Sequence, residues 1–238
     1  MEFYQSITQL YDHIFPLNMG QVNFVGSECP PAALLDVGCG TGSLAIAMSA
    51  KGFSVSAIDN DREMVDMASA KDENRRVAFS QGDMLAIDQR YREQHFAAIT
   101  CFGNTLVHLE TYDEVSDFLH KTYALLQKNG KLLLQLLNYE AILTKKPEKI
   151  PTIENERICF ERKYYYRPDG KIDFEGILLD KETGLITRNV VSLLPVTQKQ
   201  LFLILNDAGF ANLQFYGGFD RSPVDENKLP LVVSAQKI

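Results

Sequence analysis

Three glycines stand close together at a point where the chain changes from a buried strand to a helix. The apolar run at residues 33–37 is followed by Gly38, Gly40 and Gly42, and a helical segment starts at Ser43. Glycine has no Cβ atom, so this spacing permits a tight turn and lets a ligand lie against bare backbone. The alternative is a glycine turn that merely connects strand to helix.

The pattern around this turn repeats along most of the chain. Helical segments are predicted at residues 43–51 and 61–70, and two further helices are expected to follow the capping boxes that start at Thr111 and Thr197. Strands are predicted at residues 33–37, 53–58, 77–80, 96–101, 131–137, 212–216 and 231–236. Repeated β-α alternation implies a sheet with helices on both faces. The predicted fold class is therefore α/β: a doubly wound, mostly parallel, seven-stranded, Rossmann-like sheet.

One stretch breaks the alternation. Residues 156–194 form three extended segments separated by turn signals at 168–170 and 181–184, which predicts an antiparallel β insertion acting as a lid. The resulting division of the chain has three parts. They are an N-terminal helical cap at 1–28, the Rossmann-like domain at 29–150 with 195–238, and the inserted lid at 151–194.

Charge and cysteine usage narrow the functional classes. The net charge of −7 argues against an extended nucleic-acid surface, which needs clustered cations. No apolar window approaches the roughly 18 residues of a membrane span, and the start of the chain lacks a secretion signal. The four cysteines show no CxxC spacing, so we expect reduced thiols in a cytoplasmic protein and no metal site.

A carboxylate follows the second predicted strand. Asp59 lies 17 residues after Gly42, where it could accept hydrogen bonds from the two hydroxyls of a ribose. A simple helix N-cap, at Asp59 or at Asp61, is the alternative. A dinucleotide fingerprint would need a third glycine at position 43, which is Ser43 here. The nucleoside ligand is therefore expected to be something other than a nicotinamide dinucleotide.

The stretch Asp36-Val-Gly-Cys-Gly-Thr-Gly42 resembles the first motif of the class I S-adenosylmethionine-dependent methyltransferases. The resemblance continues at Gly82-Asp83-Met84, and the order of elements extends it over roughly residues 30–238. It implies S-adenosylmethionine as cofactor. The cofactor-binding residues that it implies are Tyr11, Asp36, Gly38, Cys39, Gly40, Asp59, Asn60, Met64, Asp83, Met84 and Phe102. Tyr11 has an alternative role as an aromatic side chain packed in the N-terminal helix.

The segment after the fourth strand bears on the methyl acceptor. Cys101–Leu109 contains no proline, unlike the Asn/Asp-Pro-Pro-Tyr/Phe motif of enzymes that methylate base amino groups. It resembles the corresponding stretch of glycine N-methyltransferase and related small-molecule enzymes, as does Asn138-Tyr139. The resemblance implies Asn104 and Tyr139 as substrate-binding residues. The arginine that holds a substrate carboxylate in that enzyme has no clear counterpart; the candidates are Arg157, Arg162, Arg167 and Arg188.

Two further features have both a chemical and a structural interpretation. His108 is a candidate general base because its ordinary pKa lies near neutrality, but a structural hydrogen bond would also explain it. The run Tyr164–Tyr166 could bind a substrate by stacking, or its alternating side chains could simply pack in a half-buried strand.

The sequence as a whole predicts an S-adenosylmethionine-dependent methyltransferase that transfers a methyl group to a nitrogen or oxygen atom of a small molecule. An enzyme that modifies RNA or protein is the first alternative, and the acidic charge counts against it. A non-catalytic module that binds the cofactor is the second. A nicotinamide-dependent dehydrogenase is disfavoured by the glycine spacing.

Overall fold

The computed structural model describes residues 7–238, so Phe3 and Tyr4, predicted to belong to the apolar side of the N-terminal cap, lie outside the described residues. Seven strands form the main sheet in the order β10-β11-β5-β4-β1-β2-β3. Their bounds are β1 Ala33–Val37, β2 Ser54–Asp59, β3 Val77–Gln81, β4 Phe96–Cys101, β5 Leu126–Leu137, β10 Ala211–Tyr216 and β11 Pro230–Gln236. Strands β1 to β5 run parallel, and β11 runs antiparallel to both of its neighbours, β5 and β10, which confirms the predicted mostly parallel, doubly wound sheet.

Helices cover both faces of this sheet. In the described residues they are α1 Tyr11–Ile14, α2 Met19–Glu28, α3 Ser43–Ala50, α4 Arg62–Lys71, α5 Ile87–Arg90, α6 Tyr112–Leu125, α7 Tyr139–Lys145 and α8 Gln198–Asp207. One apolar core joins the sheet to α6 and α8, and a second joins it to α2 and α3. Strand β5 shows why both faces are covered: Leu132 and Leu134 enter the first core, while Leu133 between them enters the second.

The inserted segment forms a second sheet of four antiparallel strands in the order β6-β7-β8-β9. Their bounds are β6 Lys149–Glu154, β7 Ile158–Tyr166, β8 Ile172–Asp180 and β9 Ile186–Leu193. The expectation of three extended segments was therefore one strand short. Strand β6 was missed because Pro151 interrupts it, and proline favours loops and edge strands; β6 is indeed an edge strand.

Two local details of α6 differ from the sequence prediction. The Thr111 side chain accepts from the Glu114 backbone N–H at 3.2 Å, but the Glu114 carboxylate accepts from the Glu110 N–H at 2.7 Å, so the capping box is incomplete. The turn signal Asn129-Gly130 predicts the end of this helix, but the helix already ends at Leu125 and β5 begins at Leu126. At α8 both halves of the predicted capping box are present.

The N-terminal segment lies between the two sheets. Ile7 and Ile14 pack with Ile158, Phe160 and Leu178 of the inserted sheet in a third apolar cluster. The segment thus contacts the inserted sheet through apolar side chains. Within residues 7–238, none of the helices has the length and apolar character needed to cross a lipid bilayer.

Candidate active site

The glycine loop between β1 and α3 is held in a conformation that requires glycine. Gly38 has φ +70° and donates its N–H to the Ile58 carbonyl at 2.8 Å, which anchors the loop to the end of β2. A Cβ atom at Gly38 would lie 2.4 Å from Thr105 Cγ2, and one at Gly40, with φ +53°, would lie 3.1 Å from the Tyr11 ring. The loop therefore presents bare backbone directly beneath neighbouring side chains.

Asp59 ends β2 beside this loop. Its carboxylate accepts the Gly40 N–H at 2.7 Å and the Asp61 N–H at 2.9 Å, one on each oxygen. Burial raises the pKa of Asp59, and these hydrogen bonds oppose the rise. Because each carboxylate oxygen can accept two hydrogen bonds, both keep capacity for a ligand hydroxyl. The helix N-cap is Asp61, which accepts from the Glu63 and Met64 N–H groups, so the N-cap alternative for Asp59 is wrong.

Asp36 lies buried beneath the same loop. It is 3 % exposed, and its carboxylate accepts a hydrogen bond from Thr100 Oγ1 at 2.7 Å. Burial raises the pKa of Asp36, the Thr100 hydrogen bond lowers it and the nearby Asp59 raises it, with a net pKa of about 7. The carboxyl group is therefore partly protonated near neutral pH.

A cavity of about 890 Å³ opens at the carboxyl ends of β1, β2 and β3. Most of the predicted cofactor-binding residues line it: Tyr11, Gly38, Gly40, Asp59, Asn60, Met64, Asp83 and Met84. At its far wall, Asp83 Oδ1 accepts from the Leu85 N–H at 2.8 Å. The volume and the polar groups suit a nucleoside-sized ligand. We call this space the cofactor cavity.

A second cavity, of about 660 Å³, lies between the main sheet, the inserted sheet and the N-terminal segment. The three remaining predicted cofactor residues, Asp36, Cys39 and Phe102, line this cavity instead of the first. Phe102 is buried, with its ring in edge contact with Phe219, at 5.1 Å between centroids. We call this space the acceptor cavity.

The two cavities meet at one place. Tyr11, Gly38, Gly103 and His108 line both of them. A ligand in the cofactor cavity and another in the acceptor cavity would therefore approach each other at this junction. His108 there is largely removed from solvent, which lowers its pKa to about 4 and leaves a neutral imidazole at neutral pH.

The predicted substrate residues Asn104 and Tyr139 form a pair. Asn104, with φ +67°, lines the acceptor cavity, and its Nδ2 donates to the Tyr139 hydroxyl at 2.9 Å. Tyr139 is fully buried and is absent from the walls of both cavities in the described part of the chain. The Asn104 side chain is fixed in turn by its Oδ1, which accepts the Leu137 N–H at 3.0 Å.

The structure separates the four candidate arginines. Arg157 pairs with Asp180 and Glu182, Arg167 pairs with Asp169 and Asp173, and Arg188 pairs with Glu175. Arg162 has no acidic partner within 4.0 Å among residues 7–238, and it lines the acceptor cavity. Tyr164 lines the same cavity and is 3 % exposed, whereas Tyr165 is 50 % exposed, as strand alternation predicts.

A polar cluster that the sequence analysis missed fixes the N-terminal segment to the glycine loop. Lys71 Nζ donates to the Asp12 carboxylate at 2.7 Å and to the Thr41 and Ser43 hydroxyls at 3.0 Å. Thr41 Oγ1 also donates to Asp12 at 2.5 Å. Because Asp12 follows Tyr11 directly, the cluster holds the tyrosine over Gly40. The residues come from three distant segments, so no local sequence signal identifies them.

The inserted sheet and the start of α6 also reach the cofactor cavity. Asn189 to Ser192 of β9 line it, as do Glu110 and Glu114. No local sequence signal marks these residues, because their place in the cavity wall depends on how the inserted sheet folds over the main one.

The fold and the site together define the class of protein. A mostly parallel sheet of this strand order, a glycine loop after β1 and a carboxylate at the end of β2 form a nucleoside site at the carboxyl edge of the sheet. The cofactor cavity fits S-adenosylmethionine. Gly38 and Gly40 expose backbone atoms without a side chain, and the Asp59 carboxylate can accept further hydrogen bonds from a ligand in the cavity. These are the features of the class I S-adenosylmethionine-dependent methyltransferases.

Comparison with known proteins agrees. Residues 34–130 match the family model described as "Methyltransferase domain". The chain is 25% identical over 200 residues to the glycine/sarcosine N-methyltransferase of Aphanothece halophytica, covering 79% of this chain and 70% of that protein. It is 30% identical over 125 residues to human glycine N-methyltransferase, covering 47% of this chain and 42% of that protein.

Among solved structures, the CcbJ methyltransferase from Streptomyces caelestis has the same fold. It superposes with a TM-score of 0.84 at 22% identity, covering 97% of this chain and 96% of that one. Residues 34–130 carry a methyltransferase domain, and the predicted S-adenosylmethionine-dependent methyltransferase activity is confirmed. The predicted fold and cofactor are likewise confirmed.

Proposed function

We propose that this enzyme transfers a methyl group from S-adenosylmethionine to a nitrogen atom of a small molecule held in the acceptor cavity. The observation that carries the proposal is the junction of the two cavities at Tyr11, Gly38, Gly103 and His108. An acceptor between the two sheets would reach the cofactor only there. The similarity to enzymes named glycine/sarcosine N-methyltransferase supports nitrogen as the methylated atom.

In this proposal the cofactor lies against the glycine loop. Asp59 binds its ribose, Asp83 accepts from the adenine amino group, and Tyr11 covers the loop. Asp36 would order the loop from below, with its carboxylate held in place by Thr100 of β4. When bound, S-adenosylmethionine supplies a methyl group on a positively charged sulfur, which is already activated for displacement. The protein then has to align the acceptor nitrogen with that methyl, and alignment alone is worth on the order of 7–11 kcal/mol.

His108 faces the junction as a neutral imidazole. With a pKa of about 4 it is too weak a base to hold a proton from an ammonium group, but it can accept a hydrogen bond from an amine that enters uncharged. We therefore assign His108 to acceptor orientation. Asn104 would bind the acceptor, and Tyr139 would act through Asn104 as a positioning residue.

The inserted sheet, predicted at 151–194, would act as a lid that excludes water from the acceptor cavity, together with the N-terminal cap at 1–28. The chain division into cap, Rossmann-like domain and lid is part of this proposal. The four cysteines are free thiols, which favours a reducing, cytoplasmic compartment.

The test is a transfer assay with methyl-labelled S-adenosylmethionine. The protein is incubated separately with a fractionated metabolite extract, with cellular RNA and with cellular protein, and Asp59→Ala serves as the inactive control. We expect label in a small-molecule fraction, with N-methylation identified by mass spectrometry. Label in RNA or protein would overturn the acceptor class. Cofactor binding without label in any fraction would instead support a sensing module.

A further inference from the structure

Helix α8 presents one face of regularly spaced side chains to solvent. Its opposite face is buried, because Leu201 and Leu205 enter the first apolar core and Ile204 packs against that core. The solvent face carries exposed side chains at spacings of three and four residues, which is the repeat of a single helix face. They are Lys199, Phe202, Leu203, Asn206 and Asp207. We call this set the α8 stripe.

The centre of the α8 stripe is apolar. Phe202 is 47 % exposed, and Leu203 is 59 % exposed. The ring of Phe202 lies 6.4 Å, between centroids, from the ring of Phe215 on β10, so the apolar surface continues onto the neighbouring strand. Single exposed apolar side chains are common on proteins, whereas a contiguous apolar surface more often marks a site of interaction. The centre of the stripe therefore suits contact with another protein surface.

The two ends of the α8 stripe carry opposite charges. Lys199 lies in the first turn of α8, and Asp207 is the last residue of the helix. Lys199 has no carboxylate within 4.0 Å among residues 7–238. The carboxylate of Asp207 lies 3.8 Å from His120 Nε2, beyond hydrogen-bond distance, and its side chain is 76 % exposed. Both charges are therefore open to a partner from outside the chain.

This order of charges is the reverse of what stabilises a helix by itself. The amino end of a helix carries partial positive charge and the carboxyl end partial negative charge, so acidic first turns and basic last turns are favourable. Helix α4 follows this rule, with Glu63 in its first turn and Lys71 in its last. Helix α8 has no acidic residue in its first turn and no basic residue in its last. Its charges therefore fit a partner of opposite polarity better than they fit their own helix.

A second copy of α8 has that polarity when it packs antiparallel to the first. Lys199 and Asp207 each lie four residues from Leu203, which is about 6 Å along the helix axis. A two-fold axis beside Leu203 therefore places Lys199 opposite Asp207 of the partner subunit, and the same pair forms again by symmetry. The apolar centres of the two stripes then face each other at the axis.

Strand addition at β10 offers no comparable fit. This strand is an edge of the main sheet, but its register with β11 shifts between Ala211 and Gln214, and Asn212 has φ +50°. Such a bulge interrupts the regular row of N–H and C=O groups on which a second strand would pair. The helix is therefore the element that a second copy would contact.

We propose that the α8 stripe is a self-association surface, on which two copies of the chain pack their α8 helices antiparallel about a two-fold axis. None of the five stripe residues, all of which the structure describes, lines the cofactor cavity or the acceptor cavity. The contact is small, at the low end of specific interfaces, so the dimer should be reversible and depend on concentration. The proposal is independent of the methyl acceptor.

The test is analytical ultracentrifugation of the full chain from about 1 μM to about 300 μM, a range that reveals weak dimers. The variants are Lys199→Glu, Asp207→Lys, the double variant with both changes, and Leu203→Glu. The matched control, Lys51→Glu, makes the same change of net charge as Lys199→Glu. It lies at the end of α3, on the other face of the main sheet. The melting temperature and the affinity for S-adenosylhomocysteine report whether each variant folds.

We expect the wild type to pass from monomer to dimer as its concentration rises. Either single charge reversal turns two attractive pairs into two repulsive ones, so each should weaken dimerisation by about 10-fold. The double variant restores opposite charges across the axis and should return to within about 3-fold of the wild type. Leu203→Glu places two carboxylates at the axis and should leave the chain monomeric. Lys51→Glu should dimerise like the wild type.

Three results would overturn the proposal. A wild type that stays monomeric over the whole range would exclude a second copy as the partner. A dimer that persists in Leu203→Glu would have to form through another face. Single reversals without effect, or a double variant no better than either single one, would exclude the antiparallel pairing of Lys199 with Asp207 of the partner subunit.

Discussion

The Asp59 carboxylate accepts a hydrogen bond from the backbone N–H of Gly40 at 2.7 Å, although the two residues lie nineteen positions apart. This bond connects the end of β2 to the glycine loop after β1. The Asp59 side chain therefore both fixes the conformation of the glycine loop and can accept hydrogen bonds from a ribose. Its removal should affect the loop and the ligand together.

Asp59→Ala should weaken binding of S-adenosylmethionine by on the order of 100-fold, because hydrogen bonds to a charged group are worth about 1.5–3 kcal/mol. Isothermal titration measures the effect. Asp66→Ala, which removes an exposed carboxylate from the neighbouring helix, is the matched control and should bind normally. Undiminished binding in the Asp59 variant would remove the ribose assignment.

Gly38→Ala should destabilise the fold and abolish cofactor binding. The new Cβ would meet Thr105 at 2.4 Å in a backbone conformation that already disfavours a side chain, so the cost should exceed the ~1–2 kcal/mol of the conformation alone. Gly170→Ala is the control, because Gly170 has φ +87° but nothing within 4 Å of its Cβ position. Urea unfolding of both variants gives the comparison. Equal losses in the free energy of unfolding would show that the Thr105 side chain moves aside without destabilising the protein.

Lys71→Met should loosen the N-terminal segment that holds Tyr11 over Gly40. The Lys71–Asp12 pair is partly exposed, so we expect a loss of stability of only about 1 kcal/mol and a roughly 3- to 10-fold faster release of cofactor. Stopped-flow dissociation and limited proteolysis near residue 15 measure both effects. Arg62→Gln, which breaks an exposed ion pair on the same helix, should change neither. An unchanged release rate in Lys71→Met would exclude a role in retaining the cofactor.

His108→Ala should lower turnover by about 10- to 100-fold, at or below the lower end of the usual general-base contribution, with cofactor affinity nearly unchanged. The pKa of about 4 means that the neutral imidazole persists from pH 5 upward. In the wild type, loss of rate from His108 protonation should therefore occur only below about pH 5. A pH–rate profile of both proteins tests this. An inflection between pH 6 and 8 that disappears in the variant would contradict it.

Asp36→Asn should stabilise the ligand-free protein at alkaline pH. Below about pH 4 the carboxyl is protonated in both folded and unfolded states and makes no difference. As pH rises toward 7, the unfolded state releases its proton while the folded state keeps it, so stability falls; above pH 7 the full penalty of up to about 4 kcal/mol is present. The advantage of the variant should therefore grow between pH 4 and 7. Urea unfolding at pH 5 and pH 8 measures it, and a constant difference would contradict the assignment.

Much of the fold could be read from the chain because its signals are local. An apolar run before Gly38 indicates a strand buried on both faces, and the Thr197–Gln200 box marks the start of a helix, since each depends on residues a few positions apart. The same holds for Asp59, which the strand places at the carboxyl edge beside the glycine loop. Strand β6 was not predicted, because the strand signal within its six residues is weak.

The sequence by itself determined the parallel sheet and the glycine loop, because these follow from the order and spacing of neighbouring residues. The identity of the cofactor followed from the resemblance of residues 36–42 to a known family motif. Only the tertiary structure decided which of four arginines faces the acceptor cavity, and that Asp12 is held by Lys71 fifty-nine positions later. Phe102 and Cys39 were assigned to the cofactor, yet they line the acceptor cavity. Charge pairing and cavity walls depend on segments that lie far apart in the chain and come together only in the fold. Local sequence patterns do not predict such contacts.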